Sequence, residues 1–465
     1  MFNKIAHKLF FVFFFLAIYL QTSAQYKIAG IQIQGNVKTK SYILLRELPY
    51  QVGSEFPVDS LEALNKLAQQ QLINTALFYD AEIKTQKLDS QYINIQIKVT
   101  ERWYFFPLPY FKWVDRNFSE WWNVQNHSLD RVNYGINFRQ SNLTGNNDRL
   151  TVGVITGYTH QTVLKYQFPF IDKKLRFGLG VGAQIFTQKE LNTSTFADKQ
   201  VFHKTEDVMN KGYKGSVSFL YRPNLFERHS LQVGFGNLEI SDTAMLFQPQ
   251  YFPNYKKSFS YVDLTLSFTK VRFDYIPYPT EGNSTELNIY HRIGNDNSLT
   301  ALQFREVHAR PITKSNFYLL ELNTLAKAMP NKNYFDSRLL GYGNMQMNGF
   351  EYYVVDGNAG GIFKAELHQL LGTIKLPKKV GIGFVDRINK RLPDIKYKFW
   401  LKAFTNLGYV YSERPANGTK LSNTLLRTAG VGLDILSIYD LVLKIDYSVN
   451  QLGDKGVYLH AGINF

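Results

Sequence analysis

The chain has 465 residues, a formal net charge of +15 and no cysteine, so it is not a small secreted scaffold stapled by disulfides. A mean hydropathy of −0.24 beside 30 Tyr and 36 Phe is an odd pairing for a soluble protein. It suits a membrane β-barrel, in which only alternate residues face lipid.

A basic start (Lys4, Lys8) precedes the apolar run LFFVFFFLAIYL, Leu9–Leu20, and then QTSAQ. That is the layout of a secretory signal over residues 1–24, with cleavage expected between Ala24 and Gln25. The apolar run is shorter than the roughly 20 residues of a membrane-spanning helix. Without Lys4 and Lys8 the net charge is 15 − 2, or +13. An exported basic chain meets anionic lipid headgroups or an acidic partner surface rather than nucleic acid.

Residues 25–102 predict a small α+β domain. YKIAGIQIQG is a strand ended by the Gly35-Asn36 turn, and SYILLREL is a short helix closed by Pro49. In VDSLEALNKLAQQQLI, Asp59 and Glu62 stand at capping-box spacing, and Leu61, Leu64, Ala68 and Leu72 recur with helical period. YINIQIKVTE alternates, with Ile93, Ile95, Ile97 and Val99 on one side. The order β-α-α-β-β gives a sheet with one face covered by two helices. With LINTALFYDAEIKTQ leading out of the second helix, the segment resembles a POTRA domain. That resemblance implies a periplasmic module that takes an unfolded client or partner by strand addition.

From about Tyr104 a period of two takes over. FGLGVGAQIF puts Phe177, Leu179, Val181, Ala183 and Ile185 on one face; LVLKIDYSV sets Leu441, Leu443, Ile445, Tyr447 and Val449 against Lys444, Asp446 and Ser448. About sixteen such strands fit residues 103–465, an even number as bacterial barrels require. The long connections 114–130, 188–212, 242–257, 328–361 and 412–424 all follow odd-numbered strands, as external loops should. The exception, 373–397, is long on the periplasmic side; it is either an interfacial element with Lys378, Lys379, Arg387, Lys390 and Arg391 toward headgroups or a solvated turn. Tryptophans 103, 113, 121, 122 and 400 suit an interfacial girdle.

The end GVYLHAGINF, with Leu459, Ile463 and the final Phe465, resembles the C-terminal signal by which outer-membrane barrels are recognised for insertion. Together with SNLTGNNDRL and VRFDYIPYPTEGN, the last strands resemble the outer-membrane protein assembly factor, or bacterial surface antigen, superfamily of BamA and TamA type. The resemblance implies a POTRA domain followed by a sixteen-stranded transmembrane β-barrel in the cell outer membrane. It also implies that loop 328–361 folds back into the barrel, its tip at Asn348-Gly349-Phe350. There the family carries an Arg that meets an acidic residue in a wall motif, here Phe404-Thr405-Asn406-Leu407-Gly408. Both charged positions are Asn in this chain. Two amides can bond each other, so a neutral Asn348–Asn406 contact is expected, or a loop held by Phe350 packing with both amides solvated. Gly349 is expected to shape the tip, and Gly360 and Gly361 the return.

The implied function is assistance to protein insertion into, or translocation across, the outer membrane, with the POTRA domain recruiting the client. The alternative is a passive channel or surface scaffold on the same fold. The expected partners are outer-membrane lipids and an unfolded client or periplasmic partner. No enzyme, metal or cofactor is expected: HExxH and GxSxG are absent, and GLGVG at 178–182 lies inside an alternating strand.

Overall fold

The computed structural model describes residues 25–463 apart from 114–117, 119, 206, 296, 331–332, 377–394 and 438–439. Residues 1–24, including Ala24, the basic stretch Lys378–Arg391 and Phe465 lie outside the described residues. The chain divides into two compact units, one ending at Glu101 and one running on from Arg102.

The first unit holds β1 (Gln25–Gln34), α1 (Ser41–Arg46), β2 (Glu55–Pro57), α2 (Leu61–Asn74), β3 (Phe78–Lys87) and β4 (Tyr92–Glu101). Its sheet runs β2-β1-β4-β3, with β1 and β4 parallel and the outer pairs antiparallel. Ile43 and Leu44 of α1, Ala68 and Leu72 of α2, and Ile28, Ile93, Ile95 and Ile97 of the sheet are all buried. Each large apolar side chain among them contributes about 1.5–3 kcal/mol on leaving water. Two details differ from the sequence reading. Three residues form the extra edge strand β2, too short to show alternation. The expected capping box does not form, because Val58–Ser60 take a 3-10 turn and Ser60 caps α2 without a side-chain bond.

The second unit is a sixteen-stranded antiparallel sheet with two small hairpins. Its elements are β5 (Phe105–Trp113), β6 (Val132–Ser141), β7 (Arg149–Gly157), β8 (Thr159–Phe168), β9 (Phe177–Gln188), the hairpin β10 (Glu190–Phe196) and β11 (Lys199–Lys204), β12 (Asn210–Tyr221), β13 (Glu227–Ile240), α3 (Asp242–Phe247) and β14 (Ser258–Phe273). There follow β15 (Gly282–Gly294), β16 (Ser298–Pro311), β17 (Asn316–Ala328), α4 (Tyr334–Ser337), the hairpin β18 (Arg338–Leu340) and β19 (Val355–Asp356), β20 (Ala359–Leu376), β21 (Ile395–Tyr411), β22 (Leu426–Leu436), β23 (Leu441–Asn450) and β24 (Lys455–Ile463).

The pleat sorts the side chains. On β21, Trp400, Lys402, Phe404, Asn406 and Val410 are buried while Leu401, Leu407, Tyr409 and Tyr411 are exposed. On β9, Phe177, Leu179, Val181 and Ile185 are exposed too. Large apolar residues on the outside and polar ones inside invert the soluble pattern; this is a barrel wall built for lipid. The sheet curls on itself: the Arg102 guanidinium, just before β5, grips Asp440 between β22 and β23 with bonds of 2.8 and 3.1 Å. The Tyr275 hydroxyl, in the β14–β15 turn, donates to the same carboxylate.

Two expectations change here. Trp400 is not in an interfacial girdle but buried inside, against Tyr278 and Phe317. The connection expected at 373–397 is shorter, because β20 and β21 continue to Leu376 and from Ile395.

Candidate functional site: the folded-in loop and its wall

Between β17 and β20 the chain turns into the barrel. Leu339, Leu340, Met345, Met347, Phe350 and Val355 of this loop form one buried cluster with Ile362 of β20, Val410 of β21, and Leu421 and Leu426. The tip residue Gly349 has φ +81°, and a Cβ there would stand 2.5 Å from the Thr428 hydroxyl of β22. Only glycine combines that backbone with so close an approach. Gly408 serves from the wall side, since a Cβ there would meet the Met347 sulfur at 2.8 Å. Gly360 and Gly361 differ from expectation: neither takes a positive φ, and both lie within β20. Gly360 instead leaves room for Tyr409 O and Leu339.

The structure brings Asn348 and Asn406 together. The Asn406 amide donates to the Asn348 carbonyl oxygen at 3.3 Å, and Asn406 is fully buried. Asn348 in turn donates to an Asp446 carboxylate oxygen on β23 at 2.9 Å. Lys402 balances that charge, lying 2.9 Å from Asp446 and 3.2 Å from Asp434 of β22. All three charged side chains are essentially excluded from water. Phe404 lies beside them, its ring 5.5 Å from the Lys402 ammonium. From β23 the Asn450 amide donates to Gly349 O at 2.8 Å.

The network continues away from the tip. Tyr278, from the turn between β14 and β15, donates to Asp434 at 3.0 Å and lies 2.9 Å from His368 Nδ1 of β20. Burial first, then Asp434, push the Tyr278 hydroxyl far above its ordinary range, so it stays protonated and donates. His368 closes the chain on Glu366 at 3.0 Å. One connected set of polar groups therefore holds the loop tip and, at its other end, the β14–β15 turn. Sequence reasoning missed Lys402, Asp434, Asp446 and Tyr278. For the three charged residues the available signal was a charge on the inner face of a strand, Lys402 on β21, Asp434 on β22 and Asp446 on β23; Tyr278, in a turn, offered none.

The outer loops knit over the mouth. Ala197 at the β10–β11 tip donates to Asn417 O at 2.9 Å, and Val354 donates to Asp198 O at 2.8 Å. Arg131 and Glu190 form a buried pair at 2.6 Å. Of the expected C-terminal signal, Leu459 lies on β24, which ends at Ile463. Gln25 opens β1.

A family model described as POTRA, surface antigen variable number repeat, matches residues 26–102. This segment is a POTRA domain. CdiB from Escherichia coli superposes with a TM-score of 0.52 at 13% identity, over 95% of this chain and 76% of that one. CdiB from Acinetobacter baumannii gives 0.51 at 13% identity, over 94% and 73%. BamA from Haemophilus ducreyi lacking POTRA domains 1–3 gives 0.48 at 14% identity, over 94% and 84%. No curated protein matches. The chain thus combines one POTRA domain with the sixteen-stranded barrel fold of the CdiB structures.

Proposed function

We propose that this protein is a member of the BamA/TamA-type surface antigen superfamily that assists insertion of proteins into, or their translocation across, the outer membrane. The observation that carries the reading is a POTRA domain joined to a barrel whose lumen is occupied by a loop fastened to the wall. A pore that must be sealed at rest and opened for a client needs such a reversible occupant. The work is mechanical rather than enzymatic, and the polar groups at the tip serve as fastenings.

In this reading the POTRA domain receives the client along its exposed β3 edge, since β3 pairs only with β4 among the described residues. Exposed main-chain donors and acceptors on an edge template an incoming strand. The barrel offers a second template where its ends meet. Among the described residues no ladder joins β5 to β24, and Pro107 and Pro109 of β5 have no N–H to give.

The test is depletion of the protein followed by comparison of the outer-membrane proteome. Selective loss of particular barrels or exported proteins is the expected result; an unchanged proteome overturns the proposal.

A further inference from the structure

A cavity of about 420 Å³ lies at the mouth, walled by β9 and β12, roofed by the β10–β11 hairpin and floored by the folded-in loop. Arg338 of β18 lines it. Two buried arginines nearby have carboxylate partners: Arg131 has Glu190 at 2.6 Å and Arg292 has Asp336 at 2.5 Å. Arg338 has none within ion-pairing distance among the described residues, and Asp356, opposite it across β18–β19, acts only at longer range. Its Nη2 donates to Asn192 O at 3.1 Å and to the Tyr251 hydroxyl at 3.4 Å, while its buried Nε has no partner among the described residues.

A guanidinium remains charged at any physiological pH. Arg338 is part-buried; shielding a guanidinium from water without an adjacent counter-ion is costly, and its fork geometry suits a planar oxyanion. Lys214 adds a second cation to the lining and Glu120 one carboxylate, leaving the wall net positive.

The rest of the lining narrows the ligand. The rings of Tyr251 and Tyr342 flank the guanidinium at 5.9 and 5.6 Å, and the amides of Asn210 and Gln346 open onto the same space. Gln346 is exposed, so the cavity communicates with solvent. Its volume is many times the roughly 30 Å³ share of a water molecule and lies within the range of small-molecule sites. An inorganic anion would leave most of it unfilled. A molecule with a carboxylate, several hydroxyls and a flat C–H face satisfies the cation, the amides and the rings together.

We infer that this mouth cavity, built on Arg338, is a binding site for an acidic sugar of one or two rings, with the carboxylate on the guanidinium and a ring face on tyrosine. The inference does not depend on the transport reading, because it rests on the cavity lining and on a guanidinium with no ion-pair partner among the described residues.

The test is calorimetric titration of the purified full-length protein in detergent with glucuronic acid, with glucose and acetate as controls. Saturable binding of glucuronic acid is expected, with glucose and acetate at least tenfold weaker. Arg338→Gln should weaken glucuronic acid at least tenfold, and Arg338→Lys, which keeps the charge but loses the fork, by less. Should Arg338→Gln fail to give a heat-modifiable folded barrel, Asn210→Phe fills the cavity from β12, leaves the guanidinium in place and should abolish binding. Absence of saturable binding, equal binding of acetate or glucose, or folded variants that bind as the parent does would each overturn the proposal.

Discussion

Asn348 bonds two wall residues at once, accepting from Asn406 of β21 at 3.3 Å and donating to Asp446 of β23 at 2.9 Å. The two bonds are unequal. A hydrogen bond to a charged acceptor contributes about 1.5–3 kcal/mol and a neutral one about 1 kcal/mol. Asn348→Ala loses both and Asn406→Ala only the weaker. Hydrogen exchange at Gly349 and Phe350 should therefore accelerate more in Asn348→Ala than in Asn406→Ala. Equal acceleration would show that the Asp446 bond contributes nothing to holding the tip.

Lys402 is the counter-ion for both Asp434 and Asp446. Lys402→Met leaves two carboxylates buried without it, and breaking a buried pair from one side costs about 3–5 kcal/mol. Combining Lys402→Met with Asp434→Asn and Asp446→Asn removes the charges as a set. The single variant should unfold at lower denaturant than the parent, and the triple should recover most of the loss. A triple variant as weak as the single would mean that the cost comes from lost packing rather than orphaned charge.

The strands were legible because the pleat imposes a period of two on any wall with lipid on one side; exposure alternates from Phe177 to Phe186 on β9 and from Trp400 to Tyr411 on β21. Much less of the site could be read. Asn348 and Asn406 were found by comparison with a family pattern, and their meeting required only complementary amides. Asp446 and Lys402 lie on strands where a charged residue on the polar face is ordinary, and their pairing depends on barrel curvature and register, which no local pattern encodes. Trp400 misled for a related reason: an aromatic residue on a strand reads the same whether its face meets lipid or the turn carrying Tyr278. The hairpin β10–β11 was hidden because it covers the mouth, where neither face meets lipid and alternation is not enforced.

Gly349 and Gly408 make the tip and wall fit by absence of side chain. Gly349→Ala forces a Cβ to 2.5 Å from Thr428 and places alanine at φ +81°; the backbone alone costs about 1–2 kcal/mol. Gly408→Ala meets only the far end of the flexible Met347 side chain at 2.8 Å. Proteolysis of the loop in the folded barrel should rise strongly for Gly349→Ala and weakly for Gly408→Ala. The reverse order would place the critical contact at Met347 instead of the tip.

The junction of β5 and β24 carries the sharpest test of how the barrel would work. Every other neighbouring pair of the sixteen strands shares a ladder, from β5–β6 round to β23–β24, and among the described residues none joins β5 to β24, which makes this junction the place to test for parting of the wall. Arg102 and Tyr275 both bind Asp440, which braces the start of β5 independently of any ladder with β24. Disulfide cross-links introduced between β5 and β24 should therefore leave the barrel folded and heat-modifiable while abolishing client delivery, with recovery on reduction. Cross-links between β13 and β14, already zipped over thirteen residue pairs, should have no effect on delivery. If the β5–β24 cross-link leaves delivery undiminished, clients do not pass through the wall, and the folded-in loop becomes the gate to examine.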